Sequence, residues 1–292
     1  MMPDHLVQEV RYIELRTRKR LRSPRAGGQQ SALRGDGFDF EQHRPYRPGD
    51  DVRRIDWHAT ARAGAPFVRQ TRADRELQVV VAVDLSRSMQ FGSEGRSKHE
   101  ALVLASAALL FAALEDRLSA GVVGFAEDVV ESTGPVADRE AAWAALRRVW
   151  TLQDSSSRTL MQPAIEHLLR TLKRTTLVFM VSDFQTNERL DNMPELIMLA
   201  ARHDVVAIVV EDRAETRLPS GSGFVRFRDL ESGRERVVGL TPRTRRLYEE
   251  ELRRRRLELR NMLYRAGVAQ VMVDPREDVL LPIMRLFDGR NA

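Results

Sequence analysis

Apolar and polar positions alternate along this chain in two rhythms. Short apolar runs, rich in β-branched residues, recur at Leu77 with Val79–Val83, at Leu118–Phe125, Leu177–Val181, Val205–Val210 and Val268–Val273. Runs of this kind suit strands buried on both faces of a parallel sheet. Between them lie helix-forming stretches at 98–116, 138–150, 160–172, 194–203, 241–266 and 278–287, with a short edge strand at Val129–Glu131. Strand and helix alternating through 77–287 predict an α/β domain, a doubly wound, mostly parallel sheet with helices on both faces. Residues 223–238 break the rhythm. Phe224, Val225 and Phe227, a turn at Ser232-Gly233, then Val237 and Val238 read as a β-hairpin. In the long helix, Leu252, Leu259 and Leu263, with Leu247 and Met262 beside them, form the expected inner side.

The first part of the chain is patterned differently. Leu6, Val7, Val10 and Ile13 set an apolar stripe on a helix over 4–22, interrupted at Thr17 and rejoined at Leu21. Arg16, Arg18, Lys19, Arg20 and Arg22 crowd its end, where cations are favourable. Docking on its own domain or on a partner is expected, ahead of attachment to a membrane surface. Pro24, Gly27, Gly28, Gln29 and Gln30 mark a connector over 23–32. Residues 33–76 alternate charges of both signs with single large apolar residues, around a Pro48-Gly49 turn. That predicts a compact, loop-rich subdomain held by Arg–Asp pairs around Tyr46, Ile55 and Trp57. Catalysis by Asp50, Asp51, Asp56 or His58 is not expected, because the Arg neighbours hold those carboxylates ionised. The expected division is 1–32, 33–76 and 77–292.

The chemistry concentrates where the first core strand ends. Val83 is followed by Asp84, and hydroxyls come next at alternate positions, Ser86 and Ser88. In open α/β sheets ligands sit beyond the carboxyl ends of strands. Oxygen donors without thiolate or imidazole suit a hard cation, Mg²⁺ or Mn²⁺. Asp84-x-Ser86-x-Ser88 resembles the metal-ion-dependent adhesion motif of von Willebrand factor A domains. That resemblance implies two further pieces, which Thr159 and Asp183 match. It also implies direct ligation by Ser86, Ser88 and Thr159, with Asp84 and Asp183 acting mainly through bound waters. Such a site keeps a coordination position open for an acidic side chain of a partner. The glycines usual before the Thr are replaced by Ser157 and Arg158, and Ser157 is a further candidate ligand. The glycine usual after the second Asp is replaced by Phe184.

A longer string is similar to a named family. Tyr46-Arg47-Pro48-Gly49-Asp50-Asp51-Val52-Arg53-Arg54-Ile55-Asp56-Trp57, then Thr60-Ala61-Arg62, then the Asp84 motif, resembles the MoxR-associated family called domain of unknown function 58. The resemblance implies a von Willebrand factor A-like fold and association with MoxR-type AAA+ ATPases. Members often carry membrane helices ahead of the signature, and no such run precedes it here. The function expected is a non-enzymatic, metal-dependent protein-interaction module, an adaptor for an AAA+ ATPase or another protein offering an acidic side chain.

Composition narrows this further. The chain has 292 residues, 42% of them hydrophobic, and no Cys, which excludes disulfides, thiolate catalysis and cysteine zinc sites. The longest apolar run, Ala101–Leu114, is short of a membrane span. With no apolar signal core at the N-terminus, a cytoplasmic protein is expected. The net charge is +5, but 42 acidic residues accompany the 47 basic ones, which predicts an ion-paired surface. Arg253-Arg254-Arg255-Arg256 invites a nucleic-acid alternative, and Glu249, Glu250, Glu251 and Glu258 offset it at helical spacing. A haloacid-dehalogenase-like phosphohydrolase with Asp84 as nucleophile lacks its second Asp, since Ser86 stands there. No Gly-x-Ser-x-Gly elbow is present. Gly92–Lys98 has the wrong order for a P-loop.

Overall fold

The computed structural model describes residues 1–21, 40–46, 55–71, 77–93, 95–152, 158–186, 188–228 and 235–290. The chain forms two compact units, residues 1–33 with 77–292, and residues 34–76. It opens with helix α1 (Asp4–Leu21), and the small unit then contains β1 (Phe40–Pro45), α2 (Trp57–Ala63) and β2 (Phe67–Thr71).

Within the small unit β1 and β2 pair antiparallel, with an irregularity between Phe40 and Gln42. Backbone bonds from Tyr46 to Pro66 (2.8 Å) and from Asp56 to Phe67 (2.9 Å) close it. The expected aromatic core is different in the structure. Tyr46 and Ile55 are only half-buried, and Trp57 is 70% exposed. Pro48-Gly49 and most of the expected Arg–Asp pairs lie outside the described residues.

The large unit is built from β3 (Gln78–Asp84), α3 (Lys98–Glu115), β4 (Ser119–Phe125), β5 (Val129–Ser132), α4 (Arg139–Thr151), α5 (Gln162–Thr171), β6 (Thr176–Ser182), α6 (Pro194–Arg202), β7 (Asp204–Val210), α7 (Arg213–Thr216), β8 (Phe224–Arg228), β9 (Glu235–Gly239), α8 (Pro242–Arg265), β10 (Ala269–Val273) and α9 (Leu280–Arg290). Its sheet runs β10-β7-β6-β3-β4-β5. Every neighbouring pair is parallel except β4 with the edge strand β5. β3 lies between β6 and β4, so both its backbone edges are paired.

Strand alternation divides the core into two layers. Val79, Val81 and Val83 face one layer with Leu177, Phe179 and Val181, packed under α3 and α4. Val80 and Ala82 face the other with Val178 and Met180, packed under α5, α6 and the end of α8. The apolar run Ala101–Phe111 needs cover all round. Inside it rests on the sheet, and outside α1 lies on it, with Leu6, Val10 and Ile13 buried in the same cluster. Polar pairs fix α1 there: His5 with Glu100 (2.8 Å), Arg16 with Asp278 (2.7 Å) and Glu9 with Arg96. Thr17, the break in the stripe, turns its hydroxyl to the Ile13 carbonyl at 2.9 Å.

α8 is a surface helix. Leu263 is its buried residue, Leu259 and Met262 pack beside it, and Leu247, expected inside, is 55% exposed. β8 and β9 pair with each other as a separate two-stranded sheet, and the turn expected at Ser232-Gly233 lies outside the described residues. No helix among the described residues is long and apolar enough to cross a membrane.

Candidate metal centre

The fully apolar β3 ends at Asp84, which is completely buried. The chain then enters a 3₁₀ turn, Arg87–Gln90, which brings Ser86 and Ser88 back over the strand end. The Ser86 amide donates to Asp84 Oδ1 at 2.9 Å, and the Ser182 hydroxyl donates to Oδ2 at 2.5 Å. Ser182 is the last residue of β6, the strand beside β3.

Thr159 reaches the same point between α4 and α5. The amide of Leu160 donates to the Ala126 carbonyl at 2.9 Å, tying this segment to the end of β4. Thr159 Oγ1 then donates to Ser86 Oγ at 2.8 Å, and Ser86 Oγ lies 3.1 Å from Ser88 Oγ. Three hydroxyls from two loops therefore adjoin, all on buried residues, beside a buried carboxylate. Ser157 lies outside the described residues.

Asp183 also stands on this rim, directly after β6, but it is held by a different partner. Its Oδ1 accepts the Gln185 amide at 3.0 Å, and its Oδ2 accepts the Lys98 ammonium at 2.7 Å. Lys98 is completely buried, donates also to Glu215 Oε1 at 2.7 Å, and lies over the Phe91 ring. The centre is thus two adjoining clusters, Asp84 with the hydroxyls and Asp183 with Lys98 and Glu215.

Electrostatics couple them. Burial, and then the Asp183 charge, push the Asp84 carboxyl up to about 6. Burial also raises Glu215, against the pull of Lys98. Burial disfavours the Lys98 ammonium, yet Asp183 and Glu215 outweigh it and hold its pKa above the usual lysine value. Among the described residues that form the centre, three carboxylates face one ammonium.

This arrangement suits a divalent cation. Hydroxyls and carboxylates are hard oxygen donors, and the hydrogen bonds drawn above use only part of their lone pairs. The unmatched negative charge around Asp84 is what a cation would neutralise. No three His, Asp or Glu side chains among the described residues gather as a metal cage. The ion would therefore rest on Ser86, Ser88 and Thr159, with Asp84 behind them.

Backbone strain marks the same rim. Phe184 has φ +53°, the left-handed conformation that glycine takes freely. Its amide donates to Ser182 Oγ at 2.9 Å and its ring is buried. The conformation expected of the glycine is kept here with a bulky residue in place.

Lys98 and Glu215 are absent from the sequence expectation. Lys98 is the one lysine or arginine in a helix that is apolar over most of its length, and a lone cation there was a usable signal. Its loop is closed tightly: a Cβ on Gly92 would meet Ser97 Cα at 2.7 Å, and the Lys98 amide donates to the Phe91 carbonyl at 2.8 Å. Glu215 follows the carboxyl end of β7 on the same rim. α7 supplies it, with Asp212 capping the turn and holding Ser93 Oγ at 2.5 Å.

Residues 42–258 match the family described as "Protein of unknown function DUF58". Uncharacterized protein Rv1480 of Mycobacterium tuberculosis is 32% identical, over 98% of this chain and 90% of its own length. Uncharacterized protein Mb1516 of Mycobacterium bovis matches to the same extent, at 32% identity. Among solved structures, conserved hypothetical protein BatB from Bacteroides thetaiotaomicron is similar with TM-score 0.48 and 16% identity, covering 73% of this chain and 98% of that one. A von Willebrand factor type A protein from Catenulispora acidiphila is similar with TM-score 0.42 and 14% identity, covering 74% of this chain and 42% of that one.

Proposed function

The chain belongs to the DUF58 family, whose function is unknown, and from that premise we propose that it is a non-enzymatic interaction module using a divalent ion to bind an acidic side chain of a partner protein. The single observation that carries this reading is the convergence of the Ser86, Ser88 and Thr159 hydroxyls beside the buried Asp84. Mg²⁺ or Mn²⁺ is the ion such donors favour. Bound there, it would supply an electrophilic point for a carboxylate. The Ser86 hydroxyl bonds to those of Ser88 and Thr159 rather than to a histidine or lysine base, which supports binding over nucleophilic catalysis. The resemblance of the Tyr46–Trp57 signature supports an AAA+ ATPase of the MoxR type as the partner.

The nucleic-acid alternative rests on the Arg253–Arg256 string of α8, and each of these four side chains has a carboxylate beside it. Arg254 and Arg255 pair with Glu251, Arg253 approaches Glu249, and Arg256 pairs with Glu211 at 2.6 Å. Arginines already paired with glutamates neutralise fewer phosphates and so displace fewer of the counterions condensed on a nucleic acid.

Affinity capture with the full chain tests the reading. An AAA+ ATPase retained in Mg²⁺, released by EDTA and not retained by Asp84→Ala supports it. Equal retention by Asp84→Ala in Mg²⁺ overturns it.

A further inference from the structure

Lys98 has no role in the reading just given, yet it is a completely buried cation. Its side chain has no solvent exposure, and it meets Asp183 and Glu215 at 2.7 Å each. Taking an ammonium out of water costs several kcal/mol, so a lysine persists in such a place only with strong partners. Its position is also fixed. Ser97 and Glu100 form a capping box at the start of α3, and Gly92 lets the loop close on Ser97. The backbone that carries the ammonium is therefore held at the centre by the helix start.

We propose that Lys98 sets how tightly this centre holds its divalent ion, acting as a fixed internal counter-cation shared between Asp183 and Glu215. This rests on the divalent-ion reading above. Carboxylates outnumber the one ammonium here: Asp84, Asp183 and Glu215 stand against Lys98, and the buried Asp212 also feels it. Without the lysine the excess rises, and the ion is held harder. Without Glu215 it falls, and Lys98 bears on Asp183 alone. The site is thereby kept loose enough for the ion to need a partner carboxylate. Glu215 is the adjustable member: its side chain is 21% exposed, and its backbone carbonyl accepts the Tyr248 hydroxyl at 2.9 Å. Tyr248 in turn stacks on Phe227 of β8 with ring centroids 5.7 Å apart.

The test is Mn²⁺ binding to the full chain, by calorimetry and by the spin resonance of free Mn²⁺. Lys98→Met is expected to tighten binding about tenfold or more, Glu215→Gln to weaken it about tenfold, and the double variant to return near wild type, as charge–charge interaction at partly screened distances requires. If Lys98 only props Asp183 in place, all the variants weaken binding, and the double variant falls below Glu215→Gln; that result overturns the proposal. Should Lys98→Met fail to fold, the double variant, which removes the lysine together with one of its two carboxylate partners, still separates the cases. Binding by wild type with no tightening in Lys98→Met overturns the inference and leaves the ion reading standing. Binding by Lys98→Met alone upholds the inference and overturns ion binding by the resting protein. Binding by neither overturns both.

Discussion

Thr159 Oγ1 donates to Ser86 Oγ at 2.8 Å, although 73 residues separate them. The bond joins the loop after β3 to the segment between α4 and α5, and it brings the third hydroxyl into the centre. Thr159→Val keeps the shape and removes the oxygen. Mn²⁺ affinity is expected to fall about tenfold to a hundredfold, the range seen when a metal site loses a supporting group. Global stability should change by only about 1 kcal/mol, the net worth of one hydrogen bond. Calorimetric titration and urea unfolding read the two effects separately, and unchanged affinity would remove Thr159 from the site.

The Asp84 carboxyl, pushed up to about 6 in the folded chain from an ordinary 3.8, gives a pH signature. A folded value above the unfolded one means that the folded state binds the proton more tightly. Stability of the ion-free protein should therefore rise as pH falls from about 6 toward 4, by on the order of 2–3 kcal/mol. Asp84→Asn should remove this slope and be the more stable chain at pH 7 in EDTA. Urea unfolding at several pH values in EDTA measures it, and a slope retained by Asp84→Asn contradicts the account.

Phe184 sets strain against burial. Its φ of +53° costs about 1–2 kcal/mol for a residue with a side chain. Emptying a buried phenylalanine site costs about 3–5 kcal/mol. Burial wins, so Phe184→Gly is expected to lower stability by about 2–3 kcal/mol despite relieving the backbone, as read by the urea midpoint. A gain in stability would show that the ring contributes little.

α1 is part of the large unit's core. Leu6 is fully buried beneath it, so Leu6→Ala should cost about 2–5 kcal/mol. Because its apolar stripe is already covered, the full chain should not sediment with anionic vesicles at physiological salt. Sedimentation would mean that α1 can leave α3.

Much of the fold was legible because core strands such as Val79–Val83 are unbroken and mostly β-branched, and strands and helices mostly alternate. Asp84, Ser86 and Ser88 were legible too, since they follow the central strand at once. What escaped was set by cover rather than pattern. Ala101–Phe111 is apolar all round, which says that something lies over it, but only the structure shows that α1 does. Leu247 fits the helical stripe of α8 yet is exposed, while Leu259, Met262 and Leu263 nearer the end of the helix pack on the core. Trp57 looked like a core residue through its size alone. Lys98 and Glu215 lie 117 residues apart, and no spacing rule joins a helix-start lysine to a glutamate on a one-turn helix beyond another strand.

Crystals of the full chain soaked in Mn²⁺ and measured at the manganese absorption edge test the central claim most directly. The account predicts one anomalous peak, bounded by the hydroxyls of Ser86, Ser88 and Thr159, that vanishes in Asp84→Ala. A peak elsewhere, or none at saturating Mn²⁺ with those hydroxyls still bonded to one another, would contradict it.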